Sequence, residues 1–443
     1  MSELYDVIIV GAGPGGAMAA KVAGENGLKA ALIERKTDIR TIRRICTMIL
    51  SVDEENFGEY PIYNQEKKRF HFPQNGFFIN YDGPTRDIHG FHIISPCGNR
   101  FKIGDVEKGK RGELPPVGVM IDKGYMIQIM VDEAKENGVE VFTNTNINNI
   151  RKESDCIVLT DHRGNEYRGI FVIAADGVNS RIGRKLGFNK ERIFLGTYKD
   201  YARTYEGAEI PDEDALMFCM GWNCSISISP EMPEGHIHLA AASYNVNYDL
   251  DKEMDRFLSS EPFATWFKNA REIEHRTSCV SNIASPILVP FKDNVLLVGD
   301  ASWMQETGIT GAIVPGWSAA NAVTVAFVKK QFNQEGIANY LEWYDKYYYQ
   351  PSGKRLASSG GAEIKDYLSP EDIDYLVGLA PEPQPGTMNF FVIMGTIGRT
   401  FGGLLPKIQE ERPDIMQKLM AMRSFPKELA LAKRRNEGCA IIS

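Results

Sequence analysis

The stretch Val7-Ile8-Ile9-Val10-Gly11-Ala12-Gly13-Pro14-Gly15-Gly16-Ala17-Met18-Ala19-Ala20 decides how this chain begins to fold. Val7 to Val10 is a short β-branched run, the pattern of a strand buried on both faces of a parallel sheet. Gly11, Gly13 and Gly16 follow at once in GxGxxG spacing. Ala17, Ala19, Ala20 and Ala23 then supply small side chains at helical spacing, and Gly24 or Gly27 ends the helix. Leu28 to Ile33 reads as a second strand that closes on Glu34. This is a βαβ opening. The first glycine permits a tight turn, the second lets a pyrophosphate approach the backbone, and the third lets helix and strand pack closely. The helix start, with Pro14 and Gly15, offers free N–H groups and a positive dipole end to phosphates. Glu34 lies 18 residues past Gly16, placed to accept hydrogen bonds from ribose hydroxyls, and Arg35 beside it is grouped with the same ligand.

This unit heads a chain of 443 residues, enough for about three domains at ~150 residues each. Lys plus Arg is 50 against 58 Asp plus Glu, and the net charge of −8 argues against a nucleic-acid binder. Hydrophobic residues at 43% and charged residues at 24% are those of a globular chain, which excludes disorder and collagen. The cysteines (Cys46, Cys97, Cys156, Cys219, Cys224, Cys279 and Cys439) are scattered with no CxxC pair. That spacing excludes zinc ribbons, thioredoxin-type motifs and the usual cysteine-ligated clusters. The start carries acids and no basic segment before its apolar run, so it does not read as a signal peptide. Phe390 to Leu405 is apolar but broken by Arg399 and glycines, short of the ~18 residues a membrane span needs. A cytoplasmic protein is expected.

Further along, Tyr125 to Asn137 is expected to be a helix, and Val139 to Phe142, Ile157 to Leu159 and Phe171 to Ala174 strands. Ser51 to Gly112 reads as irregular structure and short strands. From about Ile193 to Cys279 the alternation is period-two, as in Ser225-Ile226-Ser227-Ile228-Ser229 and His236-Ile237-His238-Leu239, which predicts a mainly antiparallel sheet. Val295 to Val298 is another buried strand, with a helix expected near Pro315 to Phe332 and helices beyond Tyr340. The fold class is therefore α/β: a Rossmann-like dinucleotide domain (1–75, 113–190 and 280–335), an antiparallel substrate domain (76–112 and 191–279) and a helical C-terminal region (336–443).

The glycine loop alone does not separate FAD from NAD. A second signal does. Gly299 and Asp300 follow the strand Val295 to Val298, about 290 residues downstream, where a carboxylate suits the ribitol hydroxyls of a flavin. Thr307-Gly308-Ile309-Thr310-Gly311-Ala312-Ile313 comes next. Backbone N–H groups there, at Gly311, Ala312 and Ile313, can face the flavin edge where negative charge develops on reduction.

VIIVGAGPGGAMAA (7–20) and LLVGDASWMQETGITGAI (296–313) together resemble the glutathione-reductase-type FAD fold of flavin hydroxylases and geranylgeranyl reductases. FVIAADGVNSRIGRKLG (171–187) resembles the Asp-Gly motif of that superfamily, with Asp176 and Gly177 at its core. The chain is most similar to the geranylgeranyl reductase family over about residues 1–335. The resemblance implies bound FAD and reduction of a carbon–carbon double bond in a small or lipid-like substrate. It implies that Cys46, twelve residues after Glu34, is the family's cysteine beside the flavin. Lys123 falls where the family has an arginine touching FAD, and Ile147 where a backbone contact to the adenine is expected. The family's aromatic Tyr-x-Trp-x-Phe-Pro segment corresponds to Ser225-Ile226-Ser227-Ile228-Ser229-Pro230. Successive side chains alternate along a strand, so the serines share a face. A serine face toward the cavity predicts a substrate with polar groups near the flavin and geranylgeranyl compounds as poor substrates, whereas an isoleucine face would keep the cavity apolar.

Glu306 is a candidate acid in the loop next to the flavin, alongside Cys46. Arg40, Arg43 and Arg44 form a basic turn that can contact phosphates or lie in solvent. Arg181, Arg184 and Lys185 are expected to be solvated. His236 and His238 share a strand face without an identifiable third metal ligand. No second strand–GxGxxG–helix unit occurs, so electrons are expected from transient NAD(P)H or from a carrier such as a ferredoxin or an electron-transfer flavoprotein. Two alternatives stand beside the reductase: a flavin hydroxylase using oxygen, and an electron-transfer flavoprotein serving a quinone or carrier. The segment Phe390 to Leu405 is expected to pack, to cover the substrate cavity, or to touch a membrane surface.

Overall fold

A computed structural model describes residues 3–53, 55, 57–276, 280–302, 308–351, 363–380, 382–430 and 432. The strand Leu4–Val10 runs parallel to Ala30–Ile33 on one side and to Glu166–Ala174 on the other. Glu140–Phe142 extends the sheet beyond Ala30–Ile33, and Val295–Leu297 extends it beyond Glu166–Ala174, both parallel. The continuous apolar runs have a simple cause. Val7, Ile9, Leu32, Phe171 and Ile173 face the helices Pro14–Glu25, Lys123–Glu136 and Thr310–Lys329. Ile8, Val10, Ile33, Val172 and Ala174 face the antiparallel pair Ile147–Lys152 and Ile157–Asp161. Both faces are covered, so the inner stretches Val7 to Val10, Ala30–Ile33 and Phe171 to Ala174 are apolar throughout, and polar residues such as Asp6, Glu166 and Arg168 sit only toward the strand starts.

The helix predicted near Pro315 starts at Thr310, five residues earlier, with Pro315 inside it. A proline there forfeits one backbone hydrogen bond. Tight burial of Ile313, Val314, Pro315 and Gly316 outweighs it. This helix is long and apolar enough to cross a membrane, but most of it is buried against the sheet and Pro14–Glu25. Glycines set that packing. A Cβ at Gly316 would lie 2.1 Å from the Gly15 carbonyl oxygen, and one at Gly16 would lie 1.8 Å from that of Gly11.

A second sheet has the order Arg271–Arg276, Phe194–Glu206, His236–Ser243, Ser225–Glu231, Ala215–Cys219, Gly90–Ile94, Arg100–Ile103. It is antiparallel except where Ala215–Cys219 runs parallel to Gly90–Ile94. Ile226, Ile228, Ile237 and Leu239 face the helices Leu250–Leu258 and Phe263–Trp266. On the opposite face, Phe91, Ile93, Phe101 and Ile103 are covered by the C-terminal helices Pro370–Gly378, Phe390–Glu411 and Pro413–Ser424.

Two expected boundaries move. Arg69–Phe72 pairs with Phe77–Asn80 in a hairpin, so residue 76 does not begin the second sheet's region. Val280–Ala284 pairs with Phe194–Glu206, so that strand lies in the second sheet and not with the first. Residues 51–112 hold more regular structure than their patterning suggests. Ile49–Ser51, Thr85–Ile88 and Gly118–Ile121 form a small three-stranded sheet. Each strand there is three or four residues long, too short for a period to show.

Gly16→Ala forces a side chain into backbone and is expected to destabilise the protein by ~1–3 kcal/mol. Gly13→Ala, with nothing within 4 Å of the new methyl, is expected to cost less than about 1 kcal/mol. Urea unfolding of both variants checks the contrast, which equal midpoints would contradict.

Candidate functional site

A cavity of about 560 Å³ lies between the C-terminal ends of the parallel strands and the inner face of the second sheet. Ligands of open α/β sheets occupy this crevice. Gly11 leaves the first strand at φ +101°, and a Cβ on it would meet the Ala175 carbonyl oxygen at 2.4 Å. Gly13 faces the cavity with open space around it. The helix Pro14–Glu25 has proline in its first turn and no side-chain cap. Its first N–H groups are therefore available to an anion.

Glu34 is buried at the end of the second strand and fastened in place. The Ala12 N–H donates to its Oε2 at 2.6 Å, and the Lys36 N–H to its Oε1 at 2.7 Å. The carboxylate thereby ties the glycine loop to the neighbouring strand while lining the cavity. Lys36 turns its ammonium to the carbonyls of Ile39 and Thr41, and burial lowers its pKa against the pull of Glu34. Lys123 opens the helix Lys123–Glu136, is buried, and has no ion-pair partner among the described residues.

Asp300 sits just past the strand Val295–Leu297 and is ion-paired with Arg44 of the basic turn. Cys46 lies two residues further along that turn, half-buried, its Sγ accepting from the Met48 N–H at 3.4 Å. Asp176 accepts from the Ser180 hydroxyl at 2.6 Å and from the N–H groups of Arg181 and Ile182 at 2.8 and 3.1 Å. Burial raises its carboxyl pKa even so, with those hydrogen bonds pulling the other way.

Gly11, Gly13, Pro14, Gly15, Glu34, Arg35, Cys46, Lys123, Ile147, Asp176, Gly299, Asp300 and Ala312 all line this one cavity. Gly16 lies behind it, packed on Gly11. Gly311 and Ile313 are buried in the helix Thr310–Lys329 and do not line it. The Ala312 and Ile313 N–H groups donate to the Ile309 carbonyl at 3.1 and 3.0 Å, so these amides close the first turn instead of facing a ligand. The early helix start is the cause. Glu306 and Thr307 lie outside the described residues.

Ile147 keeps its place on the wall, but its carbonyl accepts from Arg181 at 3.0 Å. Arg181 also donates to Asn146 and Asn148, so it is an anchor within the wall and not the solvated charge expected. Arg184 and Lys185 are exposed. Six cations (Arg35, Lys36, Arg43, Arg44, Lys123, Arg181) and four carboxylates (Glu34, Asp176, Asp200, Asp300) line the cavity, a positive balance in a chain of net charge −8. That balance suits a pyrophosphate.

The second sheet supplies Tyr198, Asp200, Phe218, Ser225, Ser227, His238, Ala240 and Ala242 to the far wall. Ser225 and Ser227 therefore face the cavity and Ile226 and Ile228 the opposite core, while Ser229 is buried beyond the cavity wall. Strand alternation made the serine face legible in sequence. The same alternation put His236 and His238 on one strand face, but nothing local marks Tyr198 or Asp200, whose arrival depends on how the strands are registered. The helix Phe390–Glu411 packs on the sheet, with Phe401 edge-on to Phe101 at 5.6 Å, and contributes no residue to the cavity wall. Its Phe390, Phe391 and Met394 are exposed.

A glycine loop, strand-end carboxylates and a positive crevice are the parts of a dinucleotide site. No family model matches the chain. It is 26% identical over 367 residues to the digeranylgeranylglycerophospholipid reductase of Methanococcus vannielii, covering 79% of this chain and 84% of that one. It is 25% identical over 443 residues to the enzyme of the same name from Thermoplasma volcanium, covering 94% and 100%. A solved geranylgeranyl bacteriochlorophyll reductase-like protein from Thermoplasma acidophilum has a TM-score of 0.71 at 21% identity, covering 93% of this chain and 100% of that one. The fold is shared more distantly with the halogenase PltM, solved with FAD, at a TM-score of 0.61 and 13% identity, covering 96% of this chain and 88% of that one. The resemblance to the geranylgeranyl reductases thus extends over nearly the whole chain.

Proposed function

We propose that this protein binds FAD across the cavity and reduces a carbon–carbon double bond of a lipid-like substrate. The observation that carries this reading is the convergence of Gly13, Glu34, Lys123 and Asp300 on one crevice beneath a second-sheet wall. Only a dinucleotide needs both an N-terminal pyrophosphate loop and a second carboxylate so far along the chain. Glu34 suits the ribose hydroxyls, the helix start at Pro14 and the Lys123 ammonium suit the phosphates, and Asp300 suits the ribitol. In this reading the parallel sheet is the FAD-binding domain and the second sheet the substrate domain. Bound FAD, once reduced by the electron donor, would supply the hydride and return to the oxidised form.

The chain's own residues hold, shield and orient. Cys46 faces the cavity within two residues of Arg44, which fixes Asp300, so the turn couples a thiol to the flavin-side carboxylate. The electron donor in this reading is NAD(P)H or a carrier such as a ferredoxin or an electron-transfer flavoprotein. The absence of a second dinucleotide fingerprint from the sequence supports a transient or external donor. The exposed Phe390, Phe391 and Met394 support a peripheral membrane contact, which a lipid-like substrate makes useful.

Removing a charged acceptor costs ~1.5–3 kcal/mol. Glu34→Ala and Asp300→Ala are therefore expected to weaken FAD binding roughly ten- to hundredfold, at 1.4 kcal/mol per factor of ten. Glu34→Ala is expected to have the larger effect, because it also strips the acceptor from the Ala12 and Lys36 N–H groups. Fluorescence titration of apoprotein with FAD reads both, and wild-type affinity in both variants would contradict the assignment. For the reaction, anaerobic protein reduced with dithionite is expected to add two hydrogens per double bond to an enoyl lipid with a polar group near the double bond, seen by mass spectrometry, and to saturate a geranylgeranyl glycerolipid poorly. No mass gain without oxygen, together with oxygen insertion in air, would overturn reduction in favour of hydroxylation.

A further inference from the structure

The strand pair Ser225–Glu231 and His236–Ser243 places Ser225 opposite Ala242, Ser227 opposite Ala240 and Ser229 opposite His238. Ser225, Ser227, His238, Ala240 and Ala242 all face the cavity. Among these small side chains His238 is the one large polar group, and only 2% of its surface is exposed. Neither of its ring nitrogens has a hydrogen-bond partner among the described residues, nor does the Ser229 hydroxyl beside it. Glu231 is the nearest acidic group, but its Oε2 stands 3.8 Å from Nδ1, beyond hydrogen-bond reach. Both Glu231 oxygens are already engaged, Oε2 by the Thr204 hydroxyl at 2.7 Å and Oε1 by Arg276 at 2.5 Å. The acid that could have satisfied the imidazole is held away from it.

Buried polar side chains are almost always partnered, so an imidazole with both nitrogens unmet on a cavity wall calls for a reason. We infer that His238, with Ser227 one same-face step along the neighbouring strand, holds an uncharged oxygen group of the substrate, a hydroxyl or carbonyl, against the second-sheet wall. This rests on reading the cavity as the flavin and substrate site and goes further by naming the substrate's polar end. Charge selects the group. Burial lowers the imidazole pKa, with Glu231 opposing, so the ring near neutral pH offers one donor and one acceptor. A carboxylate or phosphate would find no cation on His238 and a negative Glu231 close behind it. A hydroxyl matches the neutral ring as both donor and acceptor, and a carbonyl matches its N–H and the Ser227 hydroxyl.

A matched pair of isoprenoids tests this: geraniol, which carries a hydroxyl, and the hydrocarbon myrcene. Each is titrated onto oxidised, FAD-loaded protein, and the flavin difference spectrum gives the dissociation constant without turnover. Geraniol is expected to bind at least tenfold more tightly. His238→Leu is expected to cut that preference below threefold while leaving myrcene within twofold of wild type, and His238→Gln to restore it above threefold. Should His238→Leu fail to retain flavin, Ser227→Ala carries the test and must lower the preference at least threefold. Equal affinities in the wild type, no binding of either probe, or an unchanged preference in the variants would overturn the inference. Saturation of geraniol by the dithionite-reduced protein is scored separately. Binding through His238 without any reduction would sink the reductase reading and leave this one standing.

Discussion

The structure depends on side chains that are missing. At Gly11, Gly15, Gly16 and Gly316 the backbone of one element lies where a Cβ would otherwise sit, and at Gly11, Gly16 and Gly316 the obstructing atom is a carbonyl oxygen within 2.4 Å. These contacts draw the first strand, the helix Pro14–Glu25 and the helix Thr310–Lys329 into one packed unit, although 290 residues separate its parts. The consequence for the cavity is direct. Ala312, at the start of the later helix, is pressed against Gly15, and Asp300 is carried to the same crevice as Gly13. Two distant segments can then address the two ends of one long ligand.

Charge is laid over that frame in pairs. Glu34 accepts from the loop it must hold, Asp300 is matched by Arg44, and Asp176 gathers the amides of the short helix Arg181–Lys185. Each carboxylate at the cavity has a structural partner as well as a face toward it. Such arrangement keeps polar groups in fixed geometry before any ligand arrives, which limits reorganisation on binding. The excess of cations over acids at this one place, in an acidic chain, suits a phosphate-bearing ligand.

Much of the first sheet was legible because its signals are local. A β-branched run, glycine spacing and a strand-end acid fit within residues 7–34, and Gly299-Asp300 reads the same way. The serine face was legible too, since alternation along Ser225–Glu231 needs only the period of a strand. What escaped was set by distance. The short strands of residues 49–88 are fixed by pairing with Gly118–Ile121 and with one another, and their own patterning is silent. The early start of Thr310–Lys329 runs through a proline, the residue that usually marks a boundary, and moved the expected amide contacts of Ala312 and Ile313 into the helix. Arg181 looks like a surface charge until Asn146 and Asn148 are brought beside it.

The central claim is that the glycine-clasped crevice holds a flavin dinucleotide without a covalent bond. The most direct measurement is the identity and stoichiometry of whatever cofactor leaves the purified protein on acid precipitation. The account predicts FAD in the supernatant, about one per chain, and a colourless pellet. FMN alone, or a yellow pellet that keeps its flavin, would contradict it.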